Sequence, residues 1–306
     1  MKHYIVRRVG YSLLSLFLLS LTIFLFVRVT GDPAALLVEP GASQADIDNL
    51  RRQFGLDQPL TVQYWLFVQS FFTGDLGLSF YYRTPVLDLY FERLPNSLLL
   101  AAVAMAMSLV IGIPSGVLAA VRVGGFWDSA GKLFTLLGLS LPSFFIGLLL
   151  ILFFTVYLGW LPSSGSGTVG HLLMPAFTLG WYFAAAHMRL TRSSMLEVLG
   201  SEYVKLARLK GLPEALVIGK HAFKNALIPV ITLAGINLVV MINVAVVVET
   251  IFAWPGIGRL LYEGVSFRDF PVVQAVVVIG GSMIILVNLL VDILYALIDP
   301  RIRLES

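Results

Sequence analysis

The sequence predicts an all-α integral membrane protein with six transmembrane helices, and three observations predict it. Of its 306 residues, 58% are hydrophobic and 13% charged, with mean hydropathy +0.88, whereas a soluble domain is about half apolar and about a quarter charged. The apolar residues fall in runs of roughly 20, the length that crosses a bilayer as a helix. Lys and Arg collect in alternate connecting segments, as they do in chains threaded through a membrane. Strand-like alternation is absent, which argues against a β-barrel.

Lys2, Arg7 and Arg8 precede an apolar run over 9–27. That run is too long for a signal peptide's apolar region, and no small-x-small cleavage site follows, so it reads as a retained first span, about 9–29. Residues 31–95 are polar, with amphipathic pieces at 43–54 and 59–72 between Gly and Pro turns. Short helices lying against the membrane or a pore mouth are expected there. The chain thus divides into a cytosolic N-terminus and first helix (1–30), an extracytoplasmic helical insertion (31–95) and a five-helix core (96–306).

The second span, about 97–121, follows Pro95-Asn96 and carries Gly112-Ile113-Pro114-Ser115-Gly116. Small residues four apart let helices approach closely. The third span, about 132–158, is bent by Pro142. A turn-rich loop, 160–171, has no Lys, Arg, Asp or Glu, and the fourth and fifth spans cover about 172–190 and 229–250. Residues 252–271 are too few to cross as a helix and read as re-entrant or surface-lying, where protein or water must cover the backbone. The sixth span, about 272–298, ends at Asp299-Pro300.

With the N-terminus in the cytosol, the cytosolic segments hold fourteen Lys and Arg against six carboxylates, and residues 31–95 hold four against eight. This bias places both termini inside. It also accounts for the isoelectric point near 9.1 without a nucleic-acid partner. The chain has no cysteine, which excludes disulfides, iron–sulfur clusters and thiolate metal sites.

Catalytic constellations are missing. Residues 125–133 imitate a phosphate loop, but the spacing is one residue too long, and Leu133 stands where Ser or Thr would hold Mg²⁺. Ser140 lies in a span with no histidine at a partner position, and His3, His171, His187 and His221 make no ligand set for haem or metal. The expectation is a chain that is not an enzyme, has no ATPase site and binds neither metal nor cofactor. Polar groups remain in the spans: Asn237, Asn243, Glu249, Asn288 and Asp292. They either line a solute path or join helices by hydrogen bonds. A secondary transporter or channel would need such charges for ion coupling, and only Asp292 and Glu249 are available.

The longest charged interruption of the second half is 202–229. Between Arg189 and Lys224 stand seven Lys or Arg and three Glu. Gly211-Leu212-Pro213-Glu214 stops one helix and starts another, so short helices are expected at 201–210 and 213–224. Glu202, Lys205 and Arg208 share one face of the first; Tyr203, Leu206 and Lys210 define another. The result is either a rigid peg or a solvated loop whose charge fixes topology.

At these residues the chain resembles importer permeases of the ATP-binding-cassette class, at their cytosolic coupling loop. Ala207-Arg208-Leu209-Lys210-Gly211-Leu212, then His221, Asn225 and Pro229, are similar to the dipeptide, oligopeptide, glutathione and nickel branch. Tyr4-Ile5-Val6-Arg7-Arg8, Gly31-Asp32-Pro33-Ala34, Leu56-Asp57-Gln58-Pro59, Gln63-Tyr64 and Gly74-Asp75-Leu76-Gly77-Leu78-Ser79 follow in family order. So do Pro85-Val86, Glu249-Thr250-Ile251-Phe252, Trp254-Pro255-Gly256-Ile257-Gly258 and Asp299-Pro300-Arg301. Lys205 departs from the pattern, standing where the first Glu often does. The resemblance is to the B-type permease and implies a six-helix type I importer (MetI-like) fold in a bacterial inner membrane. It implies a C-type permease partner, two ATPase subunits that bind ATP and Mg, and an extracytoplasmic binding protein. The loop at 197–225 would engage the ATPases through Glu202, Tyr203, Lys205, Ala207, Arg208, Lys210, Gly211 and Leu212. The implied solute is a dipeptide, oligopeptide or glutathione; a nickel or metallophore complex is the alternative.

Overall fold

The computed structural model describes residues 2–30, 43–53 and 55–298. The expected blocks at 31–34 and 299–301 lie outside them. In chain order the helices are α1 (Lys2–Thr30), α2 (Gln44–Gln53), α3 (Leu60–Thr73), α4 (Val86–Val121), α5 (Phe126–Ser140) and α6 (Ser143–Leu150), which runs on as a π-helical stretch, Ile151–Tyr157. Then come α7 (Val169–Leu199), α8 (Glu202–Leu209) and α9 (Glu214–Leu216), which continues through π-helical Val217–Ala222 into α10 (Phe223–Val244). The chain closes with α11 (Val246–Ile251), α12 (Ile257–Ser266) and α13 (Phe270–Ile298). Among the described residues, the one extended pairing outside the helices is the antiparallel bridge Leu78–Pro85.

Among the described residues, five stretches are long and apolar enough to cross a membrane: 5–29, 86–121, 169–199, 214–244 and 270–290. A sixth arises only if α5 and α6 count together, and these meet at 105°. The expected third span is therefore not one bent helix. Leu141 and Pro142 are both extended, so Pro142 ends one helix and starts the next. That span also begins earlier than expected, at Phe126, and the second begins at Val86, with Pro95 inside it.

Two compact units divide the chain: residues 1–95 with 259–306, and 96–258. The last apolar helix thus groups with the N-terminal part. In the first unit α1 packs against α13 and α3. Phe24 lies edge-on to Tyr64, Ser20 hydrogen-bonds Tyr64 at 2.8 Å, and Ile23, Val273 and Val278 form a buried cluster with Phe67 and Phe71. A short hairpin, 77–86, is held by Ser79 N–H to Thr84 O and Val86 N–H to Gly77 O. It is tied to the α12–α13 corner. Ser79 Oγ–H and the Tyr81 N–H donate to buried Asp269, Tyr81 stacks on Phe267 at 3.9 Å, and the Tyr82 hydroxyl donates to Glu263.

Burial, then the hydrogen bond to Glu263, pushes the Tyr82 hydroxyl up to about 12, against an ordinary value of about 10. The folded chain holds this proton more tightly than the unfolded one. The stability it contributes is complete below pH about 10 and lost as pH rises through about 12. The difference between wild-type and Tyr82→Phe ultraviolet titrations is expected to show this tyrosine ionising near pH 12. Glu263→Gln should lower that midpoint, and an ordinary midpoint in the wild type would show the contact is not made.

The second unit is built on small residues. A Cβ at Gly112 would stand 2.7 Å from the Ala184 carbonyl oxygen, and one at Gly116 2.7 Å from that of Met188, so α4 and α7 approach backbone to backbone. Leu100, Ala104, Met105, Leu179, Phe183, Met241 and Phe252 form the core beside them. Asp128 lies in the first turn of α5 and is fully buried. It accepts from Arg192 Nε at 2.7 Å, Lys132 Nζ at 2.9 Å and the Gly124 N–H at 2.9 Å. Three donors satisfy a buried carboxylate and pin α5 to α7.

Candidate functional site

The charged stretch folds as a turn between α8 and α9. Position Val204, Ala207 and Val217 on one side and they bury together against Val198, Leu199 and Leu212. Apolar residues three apart lie on one helix face, so this spacing gives α8 an inward side. Gly211 adopts φ 75°. Its N–H reaches Arg208 O at 2.9 Å, and the Leu212 N–H reaches Ala207 O at 3.4 Å. This is the Schellman arrangement, which satisfies the last carbonyls of a helix and requires a left-handed residue after it. Pro213 follows and starts α9.

Arg208 crosses the turn to Glu214 with two prongs, Nη2–Oε1 at 2.6 Å and Nε–Oε2 at 3.2 Å. A bidentate pair fixes direction as well as distance. Lys205 pairs with Glu202 at 2.8 Å on the surface, a contact that stabilises little. Asn225 Nδ2 donates to the Tyr203 hydroxyl at 2.9 Å, bracing α8 against α10. The outward side is apolar: Leu209 is 84% exposed, Leu206 52% and Tyr203 44%.

Two expectations change here. Ala207 does not face outward: it is 5% exposed and belongs to the turn's own core. The second short helix, 213–224, is not separate. It continues through π-helical residues into α10, with Pro229 inside, so the turn leads directly into a span-length helix. Leu209 was not among the expected contact residues. Its signal was present in the amphipathic pattern but obscured, because α8 carries apolar residues on both sides.

Within the second unit, the polar span residues Asn237, Asn243 and Glu249 each have a separate partner. Asn237 Nδ2 lies 3.3 Å from His187 Nε2, whose Nδ1 lies 3.2 Å from Ser108 Oγ, which donates to Met105 O. The fully buried His187 imidazole, with Ser108 at one ring nitrogen and Asn237 at the other, thereby joins α4, α7 and α10. Asn243 donates to Val239 O on its own helix. Glu249 is fully buried and accepts from Ser97 Oγ at 2.6 Å, while Ser97 Oγ accepts the Ile257 N–H at 2.8 Å. Asn96 Nδ2 donates to Pro255 O, and Trp254 Nε1 to Asn96 O. Glu249 thus sits in an interior knot tying α4 to the 252–258 loop. Asn288 is exposed on α13. Asp292 lies on α13, its side chain outside those described. Ser97 and Asn96 were missed, since nothing local marks a partner 152 residues away.

Residues 112–304 match the family model described as a binding-protein-dependent transport system inner membrane component, and residues 1–101 match the model for the N-terminal part of such components. The chain is 41% identical over 304 residues to the glutathione transport system permease protein GsiC of Escherichia coli O6:H1, covering 99% of each. It is 40% identical, with the same coverage, to that of Escherichia coli strain K12. Solved structures similar in fold include two ABC transporters. One is an amino acid ABC transporter with histidines, at TM-score 0.52 and 16% identity, covering 70% of this chain and 94% of that one. The other is the inward-facing MetNI methionine ABC transporter, at TM-score 0.55 and 20% identity, covering 69% and 96%.

Proposed function

The chain belongs to the family of inner membrane components of binding-protein-dependent transport systems, and on that premise we propose that it forms one half of the pore of an ATP-driven importer for small peptides such as glutathione. It is an ABC importer permease subunit with the type I permease fold. The other half is a C-type permease. Energy comes from two separate ATPase subunits, this chain having no ATPase site and no cofactor. An extracytoplasmic binding protein delivers the solute to the side on which residues 31–95 lie. Both termini and the α8–α9 turn are cytosolic.

The observation that carries the coupling role is the outward ridge Tyr203–Leu206–Leu209 on a rigid turn. Apolar side chains beside a charged, solvent-facing turn fit a groove on a soluble partner. Because α9 and α10 run on from that turn as one helix, the partner's movement reaches the membrane without a joint. Coupling then requires only that the turn contact the ATPase differently in its two states. Asn237 and Asn243 are the candidates on this helix for facing the path.

The test is reconstitution with both permeases, both ATPases and the binding protein, measuring uptake of glutathione or a dipeptide. Uptake that persists without ATP or the ATPases would establish a secondary transporter instead. The cysteine-free chain also permits a topology test without background. Gln58→Cys is expected to react with an impermeant maleimide on intact cells, and Lys210→Cys only after permeabilisation. The opposite pattern would invert the orientation.

A further inference from the structure

The first unit contains a cavity of about 640 Å³ that no path or coupling residue touches. Its polar wall comprises Arg28, Arg52, Gln63, Asp75 and Gln274, and Phe67 and Phe71 supply apolar wall. A second cavity, about 410 Å³, shares Arg28 and Gln274 with it. This size, with an apolar lining and a few convergent polar groups, is that of a small-molecule site.

The polar groups are held in place. Gln63 Nε2 donates to the carbonyls of Leu56 and Gln58, at 3.0 and 2.8 Å, so its Oε1 is left to accept from Arg28 Nε at 3.2 Å. The Arg28 guanidinium lies 3.9 Å over the Phe24 ring, which fixes its plane. Arg28 therefore presents its two terminal nitrogens without a carboxylate partner among the described residues. Asp75 accepts the Gly77 N–H at 3.2 Å and likewise has no cationic partner among them. The buried Nε2 of Gln274 has no hydrogen-bond partner either.

Opposite charges thus line one cavity without neutralising each other, beside an uncommitted amide donor. We propose that this cavity binds a small zwitterion of the amino acid or short-peptide class, its carboxylate on Arg28 and its ammonium on Asp75. The inference extends the importer reading by naming a solute site in this subunit, but binding at the site is independent of ATP.

The test is equilibrium binding of alanyl-alanine to the assembled permease complex, without ATP or binding protein. Saturable binding is expected, weakened about tenfold or more by C-terminal amidation or N-terminal acetylation. Arg28→Gln should weaken the free dipeptide by a similar factor and leave the amidated one unchanged. Asp75→Asn should do the same with respect to the acetylated one. Caps without effect, or inorganic phosphate competing as well as the dipeptide, would overturn the assignment. A complex that drives uptake yet binds alanyl-alanine with no sensitivity to Arg28 or Asp75 refutes the cavity and leaves the importer standing. Binding with this sensitivity, but without ATP-driven uptake, does the reverse.

Discussion

Gly211→Val is expected to leave the chain inserted and folded while markedly lowering ATP-driven uptake, and Gly211→Asn to preserve uptake. The space around Gly211 is open, with no atom within 4 Å of a built Cβ, so the substitution acts only through φ 75°. The left-handed region costs an ordinary residue about 1–2 kcal/mol, and a β-branched one suits it worst. Opposed to this are two backbone hydrogen bonds across the turn, each contributing about 1 kcal/mol net. For a β-branched residue the strain is comparable to what these two bonds contribute, enough to populate an opened turn in which the Arg208–Glu214 pair is misdirected. It is small beside a total stability of about 5–15 kcal/mol. Asn tolerates the left-handed region through its short polar side chain. The measurements are the thermal midpoint, the ATPase rate of the complex and uptake. Normal coupling in Gly211→Val would remove the turn from the mechanism. Failure of both variants would mean that the absent side chain, not the backbone angle, is what the partner requires.

The turn was legible because its determinants are local: Gly211, Pro213 and the Arg208–Glu214 pair all fall within seven positions. The surface helices at 44–53 and 60–73 were legible for the same reason, their amphipathic period being bounded by Gly and Pro. Proline misled in the spans. Pro95, Pro175 and Pro229 lie inside helices, whereas Pro142 divides two. A span has no water to take up a freed carbonyl, so the helix tends to continue past a proline unless packing turns the chain. Pro142 turns it because α5 and α6 both pack on α7 from opposite sides of the break. The buried polar groups were visible as residues but not as pairs. Asp128 advertised Lys132 at four positions, but its stronger partner, Arg192, is 64 positions away. Likewise His187, Ser108 and Asn237 sit on three different helices. Local pattern fixes which side chains must find partners, and only the packed helices decide which partners they find.

A single methyl group at Gly112 is expected to cost more stability than any surface substitution in the chain. The Cβ of Gly112→Ala would stand 2.7 Å from Ala184 O, 2.9 Å from His187 Cβ and 3.1 Å from Met188 N. Two of these three are backbone atoms, so no rotamer change relieves the clash, and α4 and α7 must separate. Overpacking of this kind costs about 1–3 kcal/mol. Separation also stretches the 3.2 Å contact between Ser108 and His187, and a buried imidazole losing a partner costs about 1–3 kcal/mol more. Together these should lower the thermal midpoint of the detergent-solubilised chain by about 5 °C or more. Gly10→Ala is the matched control. It adds the same methyl within α1, where nothing lies within 4 Å, and helix propensity alone favours it by about 0.5–1 kcal/mol. The two substitutions are identical in composition and should move the midpoint in opposite directions. An unchanged midpoint for Gly112→Ala would mean that α4 and α7 do not cross at backbone contact, and that the His187 relay between them is not formed.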